Sequence, residues 1–280
     1  MKLSISCRIA ESFLSKEVPS MSLEDLADLA VASGYDGICM RASQVGVHSP
    51  SEDVERARAI LDERGLDVTM LTGDFATVYN NDQGPECLRK IDPYLDLAET
   101  LGAPMLRVCL RTQDDIVAAQ TAADKAADRG LKLVHQCHAT SLFETVDGIV
   151  DTLEKIARPN FGLIFEAGNL DECGEPYGTE VIKRLAPWIF NVYLQNQRVD
   201  ENGSVTLETW VRGPVTLRIM QIPEAGGIDF DAVFHGLSQI GYNGTISVHQ
   251  AGPEEGTMSA TEAAQQTANF LREKIAAANL

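Results

Sequence analysis

Short runs of apolar residues alternate along the chain with longer segments in which apolar positions recur every three or four residues. The first pair is a β-like run at 3–7 and an amphipathic segment at 22–33, with Ser22 as its N-cap and Gly34 ending it. The pairing then repeats. Further strands are predicted at 35–40, 66–71, 104–110, 131–136, 161–166, 189–195 and 245–250, and further helices at 51–64, 86–101, 113–129, 141–157, 179–185, 230–240 and 260–278.

This alternation decides the fold class. Strands that alternate with helices form right-handed βαβ units and a parallel sheet. About eight such units in 280 residues favour a single (β/α)8 TIM barrel over residues 1–280, rather than an open doubly wound sheet. No glycine-rich dinucleotide fingerprint and no Walker loop follows any strand, so we expect no nucleotide cofactor.

One segment interrupts the pattern. Residues 196–228 form a long connection after strand seven, with two β-like pieces and no helical period. A long loop at the C-terminal end of a barrel strand is usually functional, so we predict an active-site excursion here. The alternative is an inserted hairpin that supports the barrel or a subunit contact. Trp210 and Val211 would suit such a contact, which keeps a homo-oligomer open.

Charge and cysteine content narrow the choice of partner. The net charge of -18 repels nucleic-acid phosphates and anionic membranes, so we expect neither as a partner. The six cysteines form no CxxC pair, and several lie in apolar runs, which indicates reduced thiols and a cytoplasmic protein. The N-terminus does not read as a signal peptide, and no run is long enough to span a membrane. A small-molecule partner remains.

Polar residues end four successive predicted strands. Gln136, Glu166, Gln195 and His249 end strands five to eight, and in a closed barrel these ends converge on one mouth. Carboxylate, imidazole and amide groups can together bind a divalent ion such as Mn²⁺, Mg²⁺ or Zn²⁺, which would polarise a substrate oxygen. His138, two residues beyond Gln136, could transfer protons near neutral pH.

Arginine and amide side chains complete the predicted site. Arg107 lies within an apolar strand, where an unpaired guanidinium is costly, so we expect it to bind an anionic group. The residues assigned to substrate binding are Arg107, Tyr193, Gln195 and Arg218. The residues assigned to acid–base chemistry are His138, Glu166 and His249.

Five runs of the sequence resemble the xylose isomerase-like TIM barrel superfamily, which holds sugar isomerases and epimerases together with inosose dehydratases, hydroxypyruvate isomerases and AP endonucleases of type 2. The runs are GYDGICMR at 34–41, LVHQCHATSLFETVD at 133–147, FGLIFEAGNL at 161–170, PEAGGIDF at 223–230 and GYNGTISVHQ at 241–250. The resemblance covers essentially the whole chain. It implies a barrel enzyme of carbohydrate metabolism with one divalent ion bound by residues of strands five to eight.

The residues at the positions implied for that ion differ from those of the family. The family's strand-five Glu falls on Gln136, its strand-six Asp on Glu166, and its strand-eight Glu on His249. The strand-seven ligand falls on Tyr193 or Gln195. In the family's epimerases the two glutamates also act as the acid–base pair that moves the proton, and both are replaced here.

Three functions therefore stay open. The first is metal-assisted isomerisation or epimerisation of a small sugar or keto-sugar, whether neutral, phosphorylated or acidic, with His138 or His249 as the acid or base. The second is a lyase, a dehydratase or decarboxylase of a keto-sugar acid, which needs one base and one electrophile. The third is a non-catalytic sugar-binding barrel with a decayed metal site. We expect an enzyme, because both histidines can still bind a metal or transfer a proton.

Overall fold

Eight parallel strands close into a barrel in the computed structural model of this chain, which describes residues 1–12, 15–253 and 257–280. This confirms the predicted (β/α)8 fold. The barrel strands are β1 (Lys2–Ser6), β2 (Gly37–Arg41), β3 (Asp67–Thr72), β4 (Met105–Arg107), β5 (Lys132–Gln136), β6 (Phe161–Glu166), β7 (Ile189–Leu194) and β11 (Thr245–Val248). Each strand pairs with its neighbours in chain order, and β11 closes the ring against β1.

Helices follow the strands and cover the outside of the barrel. They are α1 (Leu23–Ser33), α2 (Ser51–Glu63), α3 (Phe75–Tyr79), α4 (Glu86–Arg89), α5 (Asp92–Leu101), α6 (Asp115–Asp128), α7 (Val146–Ile156), α8 (Ala167–Glu172), α9 (Thr179–Leu185), α10 (Phe230–Gln239) and α11 (Ala260–Ala278). The predicted ends of the first helix are confirmed. The Ser22 hydroxyl accepts a hydrogen bond from the Asp25 amide, and Gly34 ends the helix with φ of 73°, where a Cβ would be strained.

Two predicted helices were too long. The helix expected at 86–101 is two helices, because Pro93 lies in the first turn of α5 and cannot continue a helix from α4. The helix expected at 141–157 begins only at Val146, where Thr145 caps it. The residues before it form a turn, in which the Ser141 hydroxyl donates to the His138 carbonyl and accepts from the Phe143 amide.

The barrel has an inner and an outer apolar core. A large cluster of buried side chains lies between strands and helices. A separate cluster takes one residue from each of β2 to β7 and fills the barrel: Cys39, Met70, Met105, Val134, Ile164 and Tyr193. Because side chains alternate along a strand, the residue two positions after each of these also faces inward, one layer nearer the C-terminal mouth.

The excursion after β7 is a three-stranded antiparallel sheet rather than two β-like pieces. It consists of β8 (Asn196–Val199), β9 (Val205–Thr209) and β10 (Gly213–Met220), with β10 in the middle. Its Leu207 and Glu208 reach the cavity at the barrel mouth. Trp210 is half exposed at the end of the sheet, and its role in a subunit contact stays a prediction.

All six cysteines lie in the described residues, and each is a buried free thiol, as the apolar runs predicted. No helix in the described ranges is both long and apolar enough to cross a lipid bilayer.

Candidate active site

The strand ends place a group of polar side chains above the inner core. Two residues after an inner-core residue come Arg41 on β2, Arg107 on β4, Gln136 on β5 and Glu166 on β6. All four are buried. The strand period alone therefore brings two guanidinium groups, one amide and one carboxyl to the same end of the barrel.

A cavity of about 340 Å³ opens above these residues. Of the predicted site residues, those that line it are Arg107, Gln136, His138, Gln195 and His249. Further lining residues that the prediction did not select are Arg8, Lys16, Arg41, Asn169 and Glu172. The cavity wall therefore carries four basic side chains, which the strongly acidic composition did not indicate.

Three predicted residues lie outside the lining. Tyr193 is one layer deeper in the barrel, where its ring stacks on His249 with 3.9 Å between ring centroids. Of the two candidates on strand seven, it is thus Gln195 that reaches the cavity. Arg218 is exposed on β10, opposite Arg198, and does not line the cavity. Its assignment to substrate binding gains no support from this position.

Glu166 is the third predicted residue outside the cavity lining. It lies just behind the cavity wall and is fully buried. The amides of Gln136 and Asn169 both donate to its Oε2, Asn169 at 3.2 Å. Its Oε1 has no hydrogen-bond partner among the described residues. Burial raises the pKa of Glu166 to about 7, against the opposing effects of Gln136 and Arg107.

A chain of amides connects Glu166 to a second buried carboxyl group. Asn169, which donates to Glu166, accepts from Gln195 Nε2 at 3.2 Å. The same Gln195 nitrogen donates to Gln197 Oε1 at 3.2 Å, and Gln197 Nε2 donates to Glu172 Oε2 at 2.9 Å. These hydrogen bonds fix the orientation of the side-chain amides of Asn169, Gln195 and Gln197. Glu172 faces the cavity, and burial raises its pKa to about 8.

The buried Glu172 should make the free energy of unfolding depend on pH. Its pKa is 4.5 in the unfolded reference and about 8 when folded, so between these values the folded state holds a proton that the unfolded state has lost. Stability from this group is complete below pH 4.5 and falls as the pH rises to 8. Between pH 5 and 8.5 the free energy of unfolding should fall less in Glu172→Gln than in the parent protein, and we expect the difference to reach up to about 4 kcal/mol. Urea unfolding at both pH values measures it.

Exposed Glu201 supplies the control for this measurement. The Glu201→Gln protein should keep the pH dependence of the parent chain. If Glu172→Gln and the parent also lose stability in parallel between pH 5 and 8.5, Glu172 is not protonated in the folded state.

The two histidines of the site are both uncharged at neutral pH. Burial and the nearby Arg107 hold the pKa of His138 well below its usual value, and burial with Arg41 does the same for His249. The Ala139 carbonyl lies 2.8 Å from His138 Nδ1. A carbonyl only accepts, so Nδ1 carries the proton and Nε2 keeps its lone pair. His138 is therefore a neutral base at the cavity wall, oriented by the backbone.

One buried carboxylate, Glu11, serves two of the arginines. Arg41 donates from Nε and Nη2 to its two oxygens, both at 2.9 Å. The Ser43 hydroxyl donates to the same carboxylate at 2.6 Å, and Arg8 lies 3.7 Å from it. Arg107 contrasts with both, because its Nε and Nη2 are buried with no hydrogen-bond partner in the described part of the chain.

The donor set at this mouth does not fit a divalent ion. The positions implied by the family resemblance hold Gln136, Glu166, Gln195 and His249. Gln136 and Asn169 turn amide hydrogens toward Glu166, the one carboxylate in this set. Within residues 1–12, 15–253 and 257–280, no group of three or more His, Cys, Asp and Glu could hold a metal. Arg107 acts electrostatically on the same carboxylate and would repel a divalent cation.

A comparison with known families settles what kind of barrel this is. The family model described as xylose isomerase-like TIM barrel matches residues 27–274. The chain belongs to this family. The predicted resemblance is thereby confirmed, and the expected position of the active site at the C-terminal mouth follows from the barrel type.

The individual proteins that this xylose isomerase-like barrel matches share only a small fraction of its residues. An inosose dehydratase of Geobacillus thermodenitrificans (strain NG80-2) is 26% identical over 151 residues, which are 54% of this chain and 50% of that protein. The chain thus spans about half the length of the curated relatives it matches. A probable 3-DHS dehydratase from Bacillus anthracis superposes with a TM-score of 0.70 at 15% identity, covering 97% of this chain and 99% of the other. The IOLI protein with a bound zinc atom gives 0.72 at 18%, covering 99% of each.

Proposed function

We propose that this protein is a lyase that removes water from a small hydroxy-ketone of the sugar type. The observation that carries the proposal is the neutral base His138, which faces a cavity lined by Arg8, Lys16, Arg41 and Arg107. Dehydration next to a ketone needs one base and positive charge near the ketone oxygen. Two matched proteins named as dehydratases support the same class of reaction.

The elimination uses residues of this chain only. His138 Nε2 removes the proton from the carbon beside the ketone, and the C–H electron pair moves to form the enolate. The basic side chains around the cavity stabilise the negative charge that develops on oxygen. The enolate then re-forms the ketone, the new C=C bond forms, and the C–O bond at the neighbouring carbon breaks. Glu172, which lines the cavity and is protonated at neutral pH, gives its proton to the leaving hydroxyl, which departs as water.

The positions on strands five and eight favour elimination over epimerisation. Epimerisation of the kind that the family resemblance implies uses two facing glutamates, and this chain has Gln136 and His249 instead. An amide cannot accept a proton near neutral pH. Isomerisation of a keto-sugar is the second candidate, because the single base His138 could also move one proton between neighbouring carbons.

Proton NMR of a substrate panel in D₂O tests the proposal. The panel contains keto-sugars, an inosose and keto-sugar acids, each incubated with the full-length protein. We expect at least one compound to lose a hydroxyl group and to show new vinylic signals. Deuterium incorporation with no loss of water would contradict the lyase and favour the isomerase. No change in any compound would favour a binding protein.

A further inference from the structure

Arg107 is a buried cation with unused hydrogen-bonding capacity. Its side chain is 2% exposed, and within the described residues its Nε and Nη2 contact no acceptor. A buried guanidinium without a partner is strongly unfavourable, because it loses its hydration and gains nothing in return. Burial also lowers the pKa of Arg107, and the positive charge of Arg41 adds to this effect. The nearby Glu166 carboxylate favours the charged form of Arg107, but within the described residues no acceptor forms a hydrogen bond with Nε or Nη2, so this part of the cost is not offset.

Arg41 at the same barrel mouth shows how the chain can compensate a buried guanidinium. Arg41, at the equivalent position on β2, presents Nε and Nη2 to the two oxygens of Glu11 at 2.9 Å each. This is the bidentate pairing by which a guanidinium binds a carboxylate. Arg107 lacks partners on these same two atoms. The two arginines differ in that one has a carboxylate from the chain and the other does not.

Positive charge around Arg107 exceeds the negative charge that the chain supplies. Arg8 and Arg41 share Glu11, and Glu166 is held by amides. The half-buried Lys16 also lines the cavity, and its pKa falls to about 7 through burial and the neighbouring arginines. An anion entering this cavity meets a positive potential inside a protein whose total charge is -18.

We propose that Arg107 is the subsite for a carboxylate group of the substrate, which makes the substrate a sugar acid, and that its guanidinium provides the positive charge that a divalent ion would otherwise provide. The inference rests on the proposed function for the sugar-like body of the substrate. The carboxylate pairs with Nε and Nη2 of Arg107 as Glu11 pairs with Arg41. Both atoms are buried in the folded chain, and this pairing therefore requires the guanidinium of Arg107 to turn toward the cavity that it lines.

Isothermal titration of the full chain in EDTA tests this subsite without reference to turnover. The probes are D-glucuronate, D-glucose and D-glucose 6-phosphate. We expect glucuronate to bind most tightly and Arg107→Met to weaken it by at least about 10-fold, the effect of losing charged hydrogen bonds. Arg107→Lys should restore part of the affinity. Exposed Arg56→Gln is the control for loss of one positive charge and should bind as the parent does.

Thermal unfolding of the same variants separates a ligand-binding role from a structural one. Without probe, Arg107→Met should unfold at the same or a higher temperature than the parent, because an unpaired buried charge has been removed. A lower unfolding temperature with unchanged glucuronate affinity would overturn the proposal. So would equal binding of glucose and glucuronate, tighter binding of the phosphate, or glucuronate binding that requires added Mn²⁺. Failure of dehydration alone, with Arg107-dependent binding intact, would count against the lyase and not against the subsite.

Discussion

Replacement of His138 by glutamine is expected to lower kcat for dehydration by about 10²–10⁴-fold, the usual contribution of a general base. The glutamine amide can still donate to the Ala139 carbonyl, so the local turn should keep its hydrogen bond. It has no nitrogen lone pair that can take a proton near neutral pH. The expected loss is therefore in the chemical step, with little change in KM. Initial rates by NMR, together with deuterium exchange at the carbon beside the ketone, measure it.

His235 offers a matched control for this change. It is exposed on α10, outside the cavity lining, so His235→Gln should leave both kcat and exchange unchanged. Should His138→Gln raise KM while kcat stays constant, His138 binds the substrate and the base lies elsewhere. Deuterium exchange that persists in this variant would lead to the same conclusion.

The strand period predicted much of the site, because it decides which residues face inward. Gln136 and Glu166 follow inner-core residues by two positions, and they meet as the convergence of strand ends predicts. The period could not decide between Tyr193 in β7 and Gln195, which directly follows β7 on the same face. That choice depends on depth in the barrel, and depth is set by the registers with β6 and β11.

The sequence-based prediction also failed to identify the positive charge of the cavity wall. Arg41 directly follows the strand predicted at 35–40, and the same argument that selected Gln136 would have selected it. Lys16 comes from the loop after β1, and Glu172 from α8, a six-residue helix too short to show a helical period. Only the folded chain shows which arginine is paired and which is not, since Glu11 meets Arg41 across 30 residues of sequence.

The arginines of the cavity change the interpretation of Gln136 and His249, which stand where the family resemblance implies glutamate ligands. Taken one at a time, Gln136 and His249 suggest a decayed site. Taken with Arg41, which pairs with Glu11, and Arg107, which has no hydrogen-bond partner among the described residues, they lie at a mouth where amides hold the Glu166 carboxylate and guanidinium groups line the cavity. The potential of such a cavity favours an anion at the place where the family resemblance implies a cation.

The buried ion pair under this cavity should be the most sensitive position for stability. Glu11 is fully buried and accepts two hydrogen bonds from Arg41 and one from Ser43. Glu11→Gln keeps the shape of the side chain but leaves the Arg41 charge uncompensated. We expect the free energy of unfolding to fall by about 3–5 kcal/mol, the usual effect of removing one partner of a buried pair. Urea unfolding at pH 7 measures the difference.

An exposed pair supplies the comparison for this last prediction. Arg56 Nη2 lies 2.8 Å from Asp53 Oδ1 on α2, and the two side chains are 63% and 43% exposed, so Asp53→Asn should cost less than about 1 kcal/mol. The double variant Glu11→Gln with Arg41→Met should recover part of the loss, because it removes the isolated charge together with its partner. If the double variant is less stable than Glu11→Gln alone, the cost comes from packing around Arg41 and not from its unpaired charge.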